Sequence, residues 1–546
     1  MNNYKNTILY LALLATCPAW GQQTKKDSTL NRTVVVENQY NPEVMDAFKV
    51  NVLPSIEEPV ISKKEISYAT TIQQFNNWNP QIMRPISKEI TLTPAKRGYL
   101  RGAYGNRNNV DLKGAYLWNI TNRDQLDVMA SLYGHSGNMK VENRDEKWDS
   151  RFFRTDASLN YIHNFKNVDF KIGGEFASQV FNYMRGINTP DINTNQHFYT
   201  GGARIDVTSN NEDSRFMYGI GTGLDIFQRK HAYNVMTTGS EDKLHTTAFF
   251  AGKIKESQRV GIKFSMDNVM YNTNNHDLTL LKFNPYYQLS NENIRLNAGL
   301  NIDIQTSYGS RFRISPDVNF DFTFAESYMI TAKLTGHTQL NDYHQLNTLS
   351  PYWINETDLN TTYIPFDASL SLQGAPTGGI KFNIFGGYRI IKDELFANTK
   401  IEKDDIAFTG FEQKDANAAY VGATLDLGFS DFLDFHLGGE YFAWDVEKDM
   451  QWILAYKPQF TIGISAEAKI IEHLSLGLNY NYEGRKEILS EKANAVNDLS
   501  VKANYRILKN FDVFATVNNI LNKTYYTTTG CPSQGFYVMG GVSFQF

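Results

Sequence analysis

The sequence predicts an all-β fold, a transmembrane antiparallel up-and-down β-barrel of about 22 strands within a range of 18–24. Three observations carry this. The chain holds 31 Tyr, 35 Phe and 7 Trp among 546 residues, yet its mean hydropathy is −0.41, as expected when each strand gives one face to lipid and one to water. Apolar residues recur at every second position from about Arg97 to the end. The connections between these runs alternate between short and long.

The first residues read as an export signal. Lys5 supplies positive charge, TILYLALLAT from Thr7 to Thr16 supplies an apolar core, and Ala19 and Gly21 supply small residues for cleavage after about Gly21. A second reading takes Leu14-Ala15-Thr16-Cys17 as a lipobox. The apolar run is too short for a spanning helix, which needs about 20 residues. Once Cys17 leaves with the signal, Cys531 is the one remaining cysteine and has no internal disulfide partner. The net charge of −5 with both signs scattered excludes a basic nucleic-acid surface.

The alternation is explicit in several runs. Ile294, Leu296, Ala298, Leu300, Ile302 and Ile304 form one face, and Arg295, Asn297, Gly299, Asn301, Asp303 and Gln305 the other. Leu474 to Tyr482, Leu499 to Ile507 and Phe536 to Phe546 repeat the pattern. Soluble sandwiches alternate too, but these runs reach about 10–13 residues, the length of a tilted bilayer-crossing strand, where soluble strands average about 5–6. Trp118, Tyr480 and Tyr505 suit the aromatic girdles at the interfaces. Strands are expected to start near residues 99, 110, 126, 153, 168, 198, 216, 245, 260, 278, 294, 312, 328, 363, 380, 420, 433, 460, 474, 499, 511 and 536. Short turns near 121, 165, 210, 256, 325, 430, 471 and 509 mark the periplasmic side. Longer polar stretches at 136–151, 182–196, 230–243, 339–362, 393–417, 483–496 and 519–534 mark the outside. The expected domains are therefore a signal at 1–21, an N-terminal segment at 22–96 and the barrel at 97–546. The expected location is the cell outer membrane of a Gram-negative envelope.

Residues 22–96 hold 6 of the 15 prolines and only short apolar patches. One reading is an extended periplasmic tail, the other a segment folded back into the lumen, since a barrel of this size is otherwise a wide hole. In the lumen, Glu57, Glu58, Glu65 and Glu89 are expected to pair with wall cations. The wall is expected to carry Arg295, Asp303, Lys381, Arg389, Lys502 and Arg506 among Asn, Gln and Gly.

Val517-Asn518-Asn519-Ile520-Leu521-Asn522-Lys523-Thr524-Tyr525-Tyr526, followed by a loop and a last strand ending in Phe544 and Phe546, resembles the end of the TonB-dependent receptor family. Leu30-Asn31-Arg32-Thr33-Val34-Val35-Val36 is similar to that family's TonB box. The resemblance implies a C-terminal aromatic read by the barrel-assembly machinery, TonB or a partner envelope protein at the TonB-box-like Thr33, Val34, Val35 and Val36, and uptake of a polar solute. It departs from the family in two places. Only about 75 residues (22–96) precede the barrel where the family carries a plug of over 100, and Pro532-Ser533-Gln534 stands where Pro-Gly-Arg is usual. The alternative is a non-transporting scaffold of an outer-membrane protein complex.

Little else in the sequence carries chemistry. His135, His163 and His473 stand singly and read as polar filler, with no metal-ligand spacing around them. Gly219-Ile220-Gly221-Thr222-Gly223 falls within a strand, so it reads as a close approach and not as a phosphate loop. Asp145, Glu146 and Asp149, and Glu402, Asp404 and Asp405, are acidic loop positions with a solvated reading and a cation-binding one. No catalytic residue, cofactor or metal is expected, and the chain reads as no enzyme.

Overall fold

A computed structural model describes residues 96–546, apart from 142–146, 186–192, 212–213, 233–237, 307–308, 310, 355–357, 402–405, 430–431, 486–493 and 529–530. The signal, the residues similar to a TonB box and the rest of 1–95 lie outside the described residues, as do Asp145, Glu146, Glu402, Asp404 and Asp405.

The barrel strands run in chain order. The first eight are β1 (Gly98–Gly105), β2 (Val110–Asn119), β3 (Asp124–Lys140), β4 (Lys147–Asn164), β5 (Val168–Asn182), β6 (Asn195–Ser209), β7 (Phe216–Arg229) and β8 (Gly239–Lys255). There follow β9 (Gln258–Tyr271), β10 (Leu278–Ser290), β11 (Ile294–Thr306), β12 (Phe312–Phe324), β13 (Tyr328–Gln339), β14 (Thr362–Thr377) and β15 (Ile380–Ile401). The last are β16 (Ile406–Phe429), β17 (Leu433–Asp445), β18 (Pro458–Ile471), β19 (Leu474–Arg485), β20 (Val496–Leu508), β21 (Phe511–Asn518) and β22 (Tyr537–Gln545).

Each barrel strand pairs antiparallel with its neighbours, and β1 pairs with β22 from Tyr99↔Gln545 to Gly105↔Met539. That seam closes the ring of 22 strands, so the sheet has no open edge, the condition for crossing lipid with strands. The expected strand starts all fall within or one residue before observed strands. The largest difference is β16, which starts at Ile406 where the alternation first becomes legible near Tyr420.

Facing follows the alternation. Ile220, Leu224 and Ile226 on β7, Leu300 on β11, Ile314 on β12, Leu370 on β14 and Val421 on β16 are exposed outward. A belt of large exposed apolar side chains fits hydrocarbon and not water. The inward positions carry Asn, Ser, Thr, Gly and charge. Gly219 faces inward beside Phe249, and a Cβ there would collide with that ring. The glycine is a seat for an aromatic side chain on the next strand.

Two strands overshoot the bilayer. β15 and β16 are 22 and 24 residues long, about twice the 9–11 that a tilted crossing needs. Their register shifts between Ile391 and Glu394, where Asp393 takes φ +55°. Such a bulge bends the strand and re-aims the residues beyond it. The stretch expected as a polar loop at 393–417 is instead a paired hairpin over its described residues. The period is lost there because Ile406 to Phe411 are buried on both faces, so no polar alternate remains to betray a strand.

Candidate functional site

The inner wall and the outer mouth are where a solute would meet this protein. On the wall, the cations expected from sequence, Lys502 apart, stand opposite carboxylates on the next strand. Arg295 pairs in register with Asp321, and Lys381 with Asp426. Asp303 is buried between Lys282 on one side and Arg313 on the other. Arg389 Nη2 lies 2.9 Å from Asp367, with its guanidinium over the Tyr420 ring. Arg506 Nε lies 3.4 Å from Asp512. Lys502 sits over the Phe514 ring at 5.9 Å. Wall charge is thus largely balanced within the wall; Glu57, Glu58, Glu65 and Glu89, expected to pair with these cations, lie outside the described residues. Cross-strand pairs of this kind are worth roughly 0.2–1 kcal/mol each.

The outer mouth is roofed by the chain itself. Just after β5, Met184 and Arg185 pair antiparallel with Ala407 and Ile406 at the start of β16. In a ring of 22 strands, positions 5 and 16 are eleven apart, so this backbone bridge joins opposite walls. The connection from β13 to β14 completes the roof. It holds the helix α1 (Tyr343–Leu349) and an isolated parallel bridge between Trp353 and Thr409. Under and around these lies one buried apolar cluster that includes Trp148, Phe181, Tyr183, Phe198, Phe227, Tyr343, Trp353 and Phe408. Its rings meet edge-on or tilted, as in Phe181–Phe198 at 5.0 Å and Tyr343–Trp353 at 4.9 Å. Arg229 caps it, with its guanidinium 5.1 Å from the Trp353 ring and 5.5 Å from that of Tyr343.

Helix α1 is tied to β8 by charge. Tyr343 donates its backbone N–H to Glu241 Oε2 at 2.5 Å, and His344 Nδ1 donates to Glu241 Oε1 at 2.9 Å. Asp342 caps the helix by accepting from the Gln345 N–H, and its other oxygen accepts from Lys243 Nζ at 3.0 Å. Glu241, Asp342 and His344 place ligand-type atoms within 4.8 Å of one another, so these residues could hold a metal ion. Each carboxylate oxygen already accepts from a protein donor, however, so the trio is complete as a hydrogen-bond network. Asp342 and His344 also help line a wide, open pocket of about 430 Å³, with Lys243, Lys282, His337 and Thr348 among its other residues. Burial raises the Tyr352 hydroxyl well above its ordinary pKa, and raises the Cys531 thiol likewise.

Sequence reasoning missed Glu241 and His344 because about a hundred residues separate them. A local signal existed: Asp342-x-x-Gln345 is a capping-box spacing that announces α1. The isolated histidines read as filler do make contacts. His163 Nδ1 lies 2.6 Å from Asp124, His135 packs on Phe152, and His473 sits by Tyr505. Asp149 is exposed at the outer end of β4. Phe546 stacks on Tyr116 at 5.8 Å and on Phe544 at 5.4 Å, and its backbone bonds Arg97 and Gly98 across the seam.

No family model and no curated protein matches the sequence. Solved structures do match the fold. The chain is similar to the iron transporter FrpB of Neisseria meningitidis, with a TM-score of 0.63 at 10% identity, covering 83% of each chain. It is similar to the ferric enterobactin receptor PfeA of Pseudomonas aeruginosa, solved with enterobactin, with a TM-score of 0.62 at 11% identity, covering 83% of this chain and 81% of that one. The copper transporter OprC gives a TM-score of 0.61 at 12% identity, covering 83% of each. The fold is that of the 22-strand barrel of TonB-dependent receptors.

Proposed function

We propose that the protein is an outer-membrane passage for a polar solute, related to TonB-dependent receptors. The observation that carries this is the inner wall, polar and charge-balanced, topped by a roof built from separate connections. A wall of Asn, Ser, Thr and paired ions favours water and polar solutes over a packed apolar core. The structural neighbours, whose names state receptor or transport roles for ferric enterobactin, iron and copper, support the class and leave the solute open. Residues 40–95 are proposed to occupy the lumen, and coupling to TonB is proposed through Thr33, Val34, Val35 and Val36. The barrel-assembly machinery is proposed to read Phe546 and Phe544. A scaffold role is favoured by one feature, the backbone bridge from Met184 and Arg185 across the mouth. Single-channel conductance tests the proposal, measured with and without residues 40–95 in a chain whose roof segment 343–354 is replaced by a short linker. Passage predicts a conducting pore that widens when 40–95 is deleted; equal high conductance removes 40–95 from the lumen, and no conductance from either chain sinks passage in favour of the scaffold.

A further inference from the structure

We propose that the inner wall at Glu440 is a recognition site for an organic ammonium group, so that the solute admitted carries an amine. The proposal rests on the passage reading for its purpose and on the geometry of the wall for its substance. Val421 and Tyr441 are exposed on the outer belt, so the alternation turns their neighbours Gly422 on β16 and Glu440 on β17 to the lumen. These two are register partners, and Thr461 on β18 is the partner of Glu440 on its other side. Glu440 thus faces a glycine and a threonine, where Asp321, Asp426, Asp367 and Asp512 each face a cation. Among the described residues it has neither an ion pair nor a hydrogen bond. The Arg389 guanidinium is the cation whose field reaches it, and that group is already held 2.9 Å from Asp367. A half-buried carboxylate without a partner is a standing demand for positive charge.

Its surroundings say what kind of cation fits. Phe385 and Tyr420 lie over the glycines opposite them, Gly422 and Gly387, where a Cβ would collide with each ring. Phe442 follows Glu440 by two residues on the same face of β17, with its ring 6.1 Å from that of Tyr420. Trp444 continues the row and stacks on Phe442 at 5.9 Å. Toward the start of β17 the wall is bare. Gly438 and Gly463 are register partners, and a Cβ on Gly463 would meet nothing nearer than Asn481 Oδ1 at 3.9 Å. Glu440 therefore stands where an aromatic bank meets a glycine floor. The bank already takes cations on its ring faces: Arg389 lies over Tyr420 at 5.0 Å and Lys457 over Trp444 at 5.3 Å. Each of these is matched by its own carboxylate, Asp367 and Glu394, so Glu440 is the charge in excess. An ammonium group on an apolar body answers both features, its charge on the carboxylate and its C–H surface on the rings. An anion would meet the surplus carboxylate, and an uncharged sugar would leave it unpaired.

The test uses the full chain purified in detergent and choline as the probe, with binding read by saturation-transfer NMR on the methyl protons. The control ligand is the uncharged isostere of choline, in which tert-butyl replaces trimethylammonium. Choline should bind saturably and the isostere about tenfold more weakly. Glu440→Gln should bring choline down to the level of the isostere, and Phe442→Ala should weaken it about fivefold. Gly463→Leu fills the floor and leaves the carboxylate in place, and it too should abolish choline binding. Glu467→Gln, another wall carboxylate further along β18, should change nothing. Heat-modifiable mobility shows which variants are folded, and if Glu440→Gln is not, Gly463→Leu decides alone. No saturable choline binding, equal binding of choline and its isostere, or choline binding that survives both Glu440→Gln and Gly463→Leu would each overturn the proposal. Choline binding that is lost on these substitutions in a protein that never conducts keeps the site and sinks passage. Conductance without choline binding keeps passage and sinks the site.

Discussion

Leu478 and Asn479 are adjacent in the chain, and β19 sends them to opposite environments. Leu478 is among the exposed apolar side chains of the outer belt, and Asn479 faces the lumen from mid-strand. An arginine at 478 must therefore sit at lipid depth, which costs about 2–4 kcal/mol near the midplane, and one at 479 enters a polar wall. We expect Leu478→Arg to lower the folded fraction in detergent–urea titrations and Asn479→Arg to match wild type within about 0.5 kcal/mol. Equal losses would mean the facing is wrong. A second residue-scale expectation concerns Phe546, whose carbonyl accepts from the N–H groups of Arg97 and Gly98 and whose N–H donates to Gly98 O. Removing it deletes three bonds at the closing seam together with the stacks on Tyr116 and Phe544. Its deletion should reduce the yield of heat-modifiable barrel in the outer membrane; unchanged yield would remove Phe546 from the assembly role.

At the scale of elements, the sequence was legible wherever one face met lipid and the other water. β11 shows why: Ile294 to Ile304 and Arg295 to Gln305 separate cleanly, and the observed strand runs from Ile294 to Thr306. Legibility failed in β16, where Ile406 to Phe411 are all buried beneath the roof and no face is polar. It failed again at the trio of Glu241, Asp342 and His344, since pairing between distant segments leaves no local period. The bulge that turns the hairpin inward depends on Asp393 at φ +55°, a left-handed conformation that Asp tolerates and β-branched residues resist. Asp393→Gly should be accepted. Asp393→Val should cost about 1–3 kcal/mol and misalign Glu394 with Lys414, which hydrogen exchange along β15 would detect. If Val is tolerated as well as Gly, the bulge is not held by that dihedral.

For the whole molecule, a lumen occupied by residues 40–95, as proposed, would lie in series with the roof along one path, and resistances in series add. A ring of 22 strands encloses more space than its own side chains fill, so large barrels of this kind are plugged. Here the roof constrains the outer end, through the bridge at Met184 and Arg185 and the α1 connection. If residues 40–95 fill the lumen, removing them leaves the roof limiting, and removing 343–354 leaves the lumen limiting. Each single variant should then conduct within about twofold of the full chain, while the double variant should rise by an order of magnitude, the non-additivity of two coupled constrictions. The wall argues that the barrel survives both changes, because its charges are already paired across strands, as at Arg389–Asp367 and Arg506–Asp512, and need nothing from the tail. Planar-bilayer recordings of the four proteins give a direct reading. Full conductance after replacing 343–354 alone would show that 40–95 does not block the lumen. Full conductance after deleting 40–95 alone would show that the roof is no barrier.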